Sequence, residues 1–242
     1  MTYEPTSKGN EFQLTINQHF HMEAILRKFA ADDKKVAVTD KVSGSTERFS
    51  VENRRFKAKR AWSQEIEQHI SWPIEAAFIL EVQRIEDGGI VEDQKAISAY
   101  HLLWVLRHSF ALNPSSARTL IPGMPLGQMD KRLEEFAESL GKLPLSGGQA
   151  AGRFATTLDI KACLNEPHNK ANYDGIYWQV LRSDTTRFIS ADSYPSKLLV
   201  PIGPQILLKG CREASDAMLI DTTQVEKFNK VAIGEATNFT FG

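Results

Sequence analysis

The chain has 242 residues, with 29 Lys and Arg against 30 Asp and Glu, and 42% hydrophobic residues. This is the composition of a globular chain with enough length to bury a core, which argues against a disordered or fibrous protein. The net charge of −1 excludes a globally basic nucleic-acid binder, though not a local basic patch.

The opening residues, Met1-Thr2-Tyr3-Glu4-Pro5, have neither the basic start nor the apolar run of a secretory signal. The uncharged stretch Ala96 to Leu106 falls far short of the roughly 20 apolar residues of a membrane span. Cys163 and Cys211 have no metal-ligand spacing and read as free thiols in a reducing compartment, so the expected location is cytoplasmic.

Phe12 to Ile16 reads as an extended arm leading into a helix over Gln18 to Ala30, where Phe20, Ala24, Ile25 and Phe29 recur at helical spacing. Lys35 to Asp40 reads as a strand, followed by a turn at Val42 to Ser45. Arg48 to Arg60 is strongly basic, and Ala61 to Ile85 turns acidic with helical periodicity. Trp72-Pro73 should break that run into two helices, because proline disfavours a helical residue before it.

Glu92 to Leu112 has almost no polar face in its middle, the pattern of a helix buried on several sides. A loop rich in proline and glycine follows to Gly127, then an amphipathic surface helix over Gln128 to Leu140. Pro144 to Gly152 marks a possible subdomain break, and Arg153 to Leu164 a further helix. Gly175 to Leu181 and Arg187 to Ser190 flank Ser183-Asp184-Thr185 and read as a hairpin. Lys197 to Pro201, Gln205 to Lys209 and Ala217 to Ile220 are short strand candidates. Thr223 to Glu226 carries a capping pattern that opens a last helix to Ile233. The expected class is α+β in a single domain over residues 1–242, with the sheet built mostly beyond Tyr173.

Several side chains are candidates for chemistry. His19 and His21 would share a metal only on one strand, and no further ligand follows at metal spacing, so no metal is expected. Arg107 and His108 sit where the apolar helix nears its C-terminus. That end favours cations, or Arg107 emerges into a cleft as an anion clamp. Asp192 follows a strand, a place for a general base and equally for a turn. Arg54, Arg55, Lys57 and Arg60 form the core of the basic stretch and would contact nucleic acid or a protein partner, unless the acidic run behind them neutralises them. Phosphate-loop, HExxH, Gly-x-Ser-x-Gly and paired CxxC patterns are missing, and no cofactor is expected.

Two segments together carry a resemblance. Gln18-His19-Phe20 followed by Ile25-Leu26-Arg27-Lys28-Phe29-Ala30 resembles the opening of the bacterial family called domain of unknown function 4238, which begins His-Tyr-Val-Pro-Gln and continues Leu-Arg-x-Phe. Val36 to Asp40 sits where that family has a short strand. Trp178-Gln179-Val180 with Phe188 to Asp192 is similar to its Trp and Phe-Ile-Thr-Ser-Asp segments, and Leu199 to Ile202 to the run that follows. His21-Met22 stands where the family has Val-Pro, and Tyr194 intrudes before Pro195. The resemblance implies no assigned activity. It places His19, Arg107, Asp192 and Asn229 on one list of polar residues, drawn from both ends of the chain. One expectation is a hydrolase or nuclease-like effector of a bacterial or phage conflict system. In it His19 is the acid or base, Asp192 its partner, and Arg107 the anion clamp. The other is a binding protein without chemistry, holding a protein or nucleic acid. A shared, solvent-reachable cleft favours the enzyme; burial of each group with a partner favours the binding protein.

Overall fold

The computed structural model describes residues 4–125, 127 and 129–242. Gln128, the first residue of the expected amphipathic helix, lies outside the described residues, as do Met1 to Tyr3. The class is α+β, as expected.

The chain enters through β1 (Asn17–His19) and turns into the short helix α1 (Glu23–Lys28). The helix expected from Gln18 thus begins five residues later. Gln18 and His19 are instead claimed by an antiparallel pairing with residues 57 and 58. β2 (Lys35–Asp40) falls where its alternation of Val36 and Val38 requires, and β3 (Thr46–Ser50) returns against it. β4 (Lys57–Lys59) carries the end of the basic stretch back to β1. Ile66–Ser71 forms a π-helical turn that runs directly into α2 (Trp72–Glu86). Trp72-Pro73 therefore marks a change of helical winding and not a break, with Pro73 in the first turn, where an N–H is dispensable.

α3 (Gln94–Leu112) is the expected central helix. Asp93 caps it by accepting from the Ala96 backbone N–H at 3.0 Å. Leu103, Ile97, Tyr100 and Trp104 are all essentially inaccessible, and neighbours reach them from both ends of the chain. Tyr100 stacks on Phe78 of α2 at 3.8 Å, Trp104 stacks on His21 at 4.1 Å, and Trp178 donates to Ser98 at 2.9 Å. After α3 come β5 (Arg118–Thr119), α4 (Lys131–Ser139), β6 (Gln149–Ala150) paired with β5, α5 (Gly152–Asn165) and the short α6 (Pro167–Ala171).

The remaining strands are β7 (Tyr177–Arg182), β8 (Ser190–Ala191), β9 (Leu199–Gly203), β10 (Ile206–Cys211) and β11 (Met218–Leu219), then α7 (Thr222–Glu235) and β12 (Phe239–Phe241). One four-stranded sheet has the order β11-β7-β10-β9 and lies wholly beyond Tyr173. A second has the order β3-β2-β12-β8 and takes half its strands from the first fifty residues. The expected hairpin across Ser183 to Thr185 does not form. β7 pairs with β10, while β8 crosses to the second sheet and pairs with β12. The last helix is capped two residues earlier than its sequence suggested, by a reciprocal box between Asp221 and Gln224. One apolar cluster draws on residues from Phe20 to Phe241, so the two ends of the chain close a common core.

Candidate functional site

The segment Gln18 to Met22 lies against α3, and the turn after β8 meets α3 as well. The polar residues of the two ends are thus brought to one helix, but each is engaged separately. Arg107 is buried; it donates to Glu75 Oε1 at 2.8 Å and, through its other terminal nitrogen, to the His19 backbone carbonyl. Burial works against the charge, and Glu75 and Glu67 outweigh it, so the guanidinium stays charged. This is an anchor between α2, α3 and β1 and not an anion clamp in a cleft.

Asp192 is fully buried. Its two carboxylate oxygens accept from the backbone N–H groups of Thr237 at 2.7 Å and Asn238 at 2.8 Å, and His108 Nε2 lies 3.2 Å away. Burial alone would raise its pKa; His108 and the two N–H groups overcome this and hold it below the ordinary range. Its own backbone carbonyl accepts from Trp104 Nε1 at 3.0 Å. Asn229 bridges the strand entry, accepting from Ile189 N and donating to the Arg187 carbonyl, both at 3.0 Å. His108, not His19, is the side-chain partner of Asp192. No spacing in the sequence pointed to that pair.

His19 turns the other way. Its Nε2 faces the Val51 carbonyl at 3.2 Å and its Nδ1 is 3.7 Å from a Glu23 oxygen. Burial lowers its pKa. Ligand atoms of His19, Glu23 and Glu52 lie within 4.8 Å of one another, a spacing a cation would accept. Arg27 and Lys57 already ion-pair with those two carboxylates. His21 is not part of this group. It is buried, bonded through Nδ1 to the Tyr100 hydroxyl at 2.6 Å, and pushed well below its ordinary pKa by burial.

The basic stretch is a second departure. Arg54 is exposed, but Arg55 is half-buried over the Phe49 ring, 3.5 Å from Asp40, and Lys57 pairs with Glu52. Arg60 is only 4% exposed and adopts φ +42, a left-handed backbone that is strained for a residue with a side chain. It pairs with Glu135 and Glu138 of α4. Neutralisation does occur, but not by the acidic run just behind: Arg55 and Lys57 are met by Asp40 and Glu52 ahead of them, and Arg60 by a helix some seventy residues further on. The expected contact surface is reduced to its Arg54 end.

α4 is packed in an unusual sense. Glu135 and Glu138 are 0% and 2% exposed, held by Arg60 and by Arg153, whose Nε donates to Glu138 at 2.9 Å. Leu133, Phe136 and Leu140 are 55%, 46% and 56% exposed. The helix has its carboxylates inside and its apolar row outside, the reverse of an ordinary surface helix. Phe12 of the N-terminal arm touches the row, with its ring 5.6 Å from that of Phe136.

Comparison with known proteins found no matching family model, no matching curated protein and no matching solved structure.

Proposed function

We propose that the protein is a binding module without chemistry, docking an apolar protein surface on the outward face of α4. The observation that carries this reading is the inverted helix: three large apolar side chains of one row face solvent while two glutamates occupy the core side. Exposed rows of this kind mark interaction surfaces. The polar residues gathered by the family resemblance weigh against the hydrolase reading, since Asp192 and Arg107 are buried and each is bonded to structural partners. A general base needs reach to a substrate proton, and a carboxylate spent on two backbone N–H groups has none.

A second copy of the chain is the occupant whose chemistry is already on the page. Leu133, Phe136, Ala137 and Leu140 are spaced symmetrically about the middle of the row. Two antiparallel copies related by a twofold axis set Leu133 of one against Leu140 of the other. Sedimentation of the unmodified chain and of a triple variant (Leu133→Ser, Phe136→Ser, Leu140→Ser) tests the reading. Concentration-dependent association, lost in a variant of unchanged denaturant midpoint, is expected. A chain that stays monomeric at the highest concentrations, or a variant that is strongly destabilised, overturns it.

A further inference from the structure

Large apolar side chains lie exposed beyond both ends of α4, not only along its row. At the C-terminal end, a Cβ on Gly141 would come within 3.1 Å of the His69 ring, so the π-helical turn that carries His69 lies beside the point where α4 stops. Trp72 follows three residues later. It is 69% exposed, and its indole has no hydrogen-bond or ring partner among the described residues. Trp62, Trp104 and Trp178 are all buried. π-helical turns are rare and, where they occur, frequent at functional sites.

At the N-terminal end, the loop after β5 does the same. Leu120 N and Ile121 N both donate to the Gly148 carbonyl, at 2.9 and 3.1 Å, and a Cβ on Gly148 would meet Met124 Cβ at 3.1 Å. Two residues before Gly148, Ser146 Oγ accepts from the Met129 N–H at 3.2 Å, just ahead of the Asp130 cap of α4. Ile121 and Met124 therefore stand beside the start of α4, and both are exposed.

α4 has 9 residues and is about 13 Å long. Three side chains along that length cover too little area for a stable dimer, which buries roughly 800 Å² on each partner. A twofold axis through the middle of the row lays the N-terminal end of one α4 against the C-terminal end of the other. The apolar groups beyond one end then meet those beyond the opposite end of the second copy, and the contact is made twice. An indole packs well against a flexible thioether, and tryptophan is among the side chains that most often dominate an interface.

We infer that Trp72 is the anchor of a self-association surface, seated against Ile121 and Met124 of a second copy of the chain; this rests on the reading of α4 as a docking face. The surface runs from the loop after β5, along Leu133, Phe136 and Leu140, to Trp72. The same set on the second copy, turned through the twofold axis, closes it.

Two measurements on the full chain test the inference. Because Trp72 is the exposed tryptophan, iodide quenching of tryptophan fluorescence follows that side chain. Quenching should fall, and emission shift to the blue, over the same concentrations at which sedimentation shows a dimer. Trp72→Glu and Met124→Lys should each weaken dimerisation about a hundredfold, two contacts at roughly tenfold each, with the denaturant midpoint unchanged. An equimolar mixture of the two variants should dimerise at least about tenfold more tightly than either alone. In the mixed dimer one contact pairs the new Glu with the new Lys, and the other is the parental Trp72 with Met124. A dimer whose tryptophan stays equally open to iodide overturns the inference, and so does a mixture no tighter than its components. If the triple serine variant of α4 loses the dimer while Trp72→Glu keeps it, the docking face stands and the Trp72 anchor falls. A chain that is monomeric throughout removes both. Should either single variant fail to fold, iodide quenching of the unmodified chain decides alone.

Discussion

Asp192→Ala is the perturbation that most directly separates a structural carboxylate from a catalytic one. In the folded chain the side chain ties the turn after β8 to the link between α7 and β12, through Thr237 N and Asn238 N at 2.7 and 2.8 Å. Removal takes away two hydrogen bonds to a charged acceptor, each worth about 1.5–3 kcal/mol, and the carboxylate beside His108 Nε2. The expected loss is therefore about 3–5 kcal/mol, much of the stability of an ordinary domain. Asp192→Asn keeps one acceptor and should lose about half as much. Urea unfolding followed by tryptophan fluorescence reads both, and a double-mutant cycle with His108→Phe should show a coupling of about 1–3 kcal/mol. The sign with pH follows from the depressed carboxyl pKa. The contribution is present above the unfolded value of about 3.9 and is lost as pH falls through the folded one, a dependence Asp192→Asn removes. A loss below about 1 kcal/mol for Asp192→Ala, with no coupling to His108, would refute the structural role.

His101 supplies a second pH signature. It is buried with Nδ1 on the Tyr173 hydroxyl and Nε2 on the Lys197 carbonyl, and burial lowers its pKa to about 4. Because the folded value lies below the unfolded 6.5, its stabilisation is complete above pH 6.5. It falls as the pH drops to 4, by about 3 kcal/mol in all. A ring carbon that titrates in NMR near 6.5 would contradict this. Leu103→Ala, at the inaccessible centre of α3, should cost about 2–5 kcal/mol in the same urea assay; a cost near zero would mean that α3 is not the centre of the core.

How legible each part was depends on the range of the interactions that decide it. α3 could be read because a long, nearly uncharged run ends at Asn113-Pro114 and begins beside a capping aspartate, all local features. β2 could be read from its own alternation of buried and half-buried residues. β12 could not. It is three residues long and exists because β2 and β8 each offer it an edge, the first about 200 residues away in sequence and the second about 50. The false hairpin failed for the same reason: β8 had a better partner in β12 than in β7, and Asp192 N completes that choice by donating to the Phe239 carbonyl at 3.1 Å. Among the site residues, Arg107 was read as an anion clamp because its partner Glu75, which holds it buried, lies on another helix. At Arg60 the basic stretch misled because the acids that neutralise it are remote in sequence.

α4 shows where periodicity stops. The row Leu133, Phe136, Leu140 and the row Glu135, Glu138 have the same helical spacing, so the pattern fixes two faces without saying which turns inward. That is settled by Arg60, about seventy residues earlier, and Arg153, just beyond β6, which meet on the glutamate side. Burying such a network is not a cheap source of stability, since desolvation offsets most of the attraction. Leaving three large side chains half in water forgoes about 1 kcal/mol or more at each, because complete burial is worth about 1.5–3 kcal/mol. Covering the row would return about 3–4 kcal/mol, and docking confined to it would be no tighter than about millimolar. A partner that holds α4 firmly must therefore reach beyond the row, and Phe12, already packed on Phe136, is the first side chain it would meet.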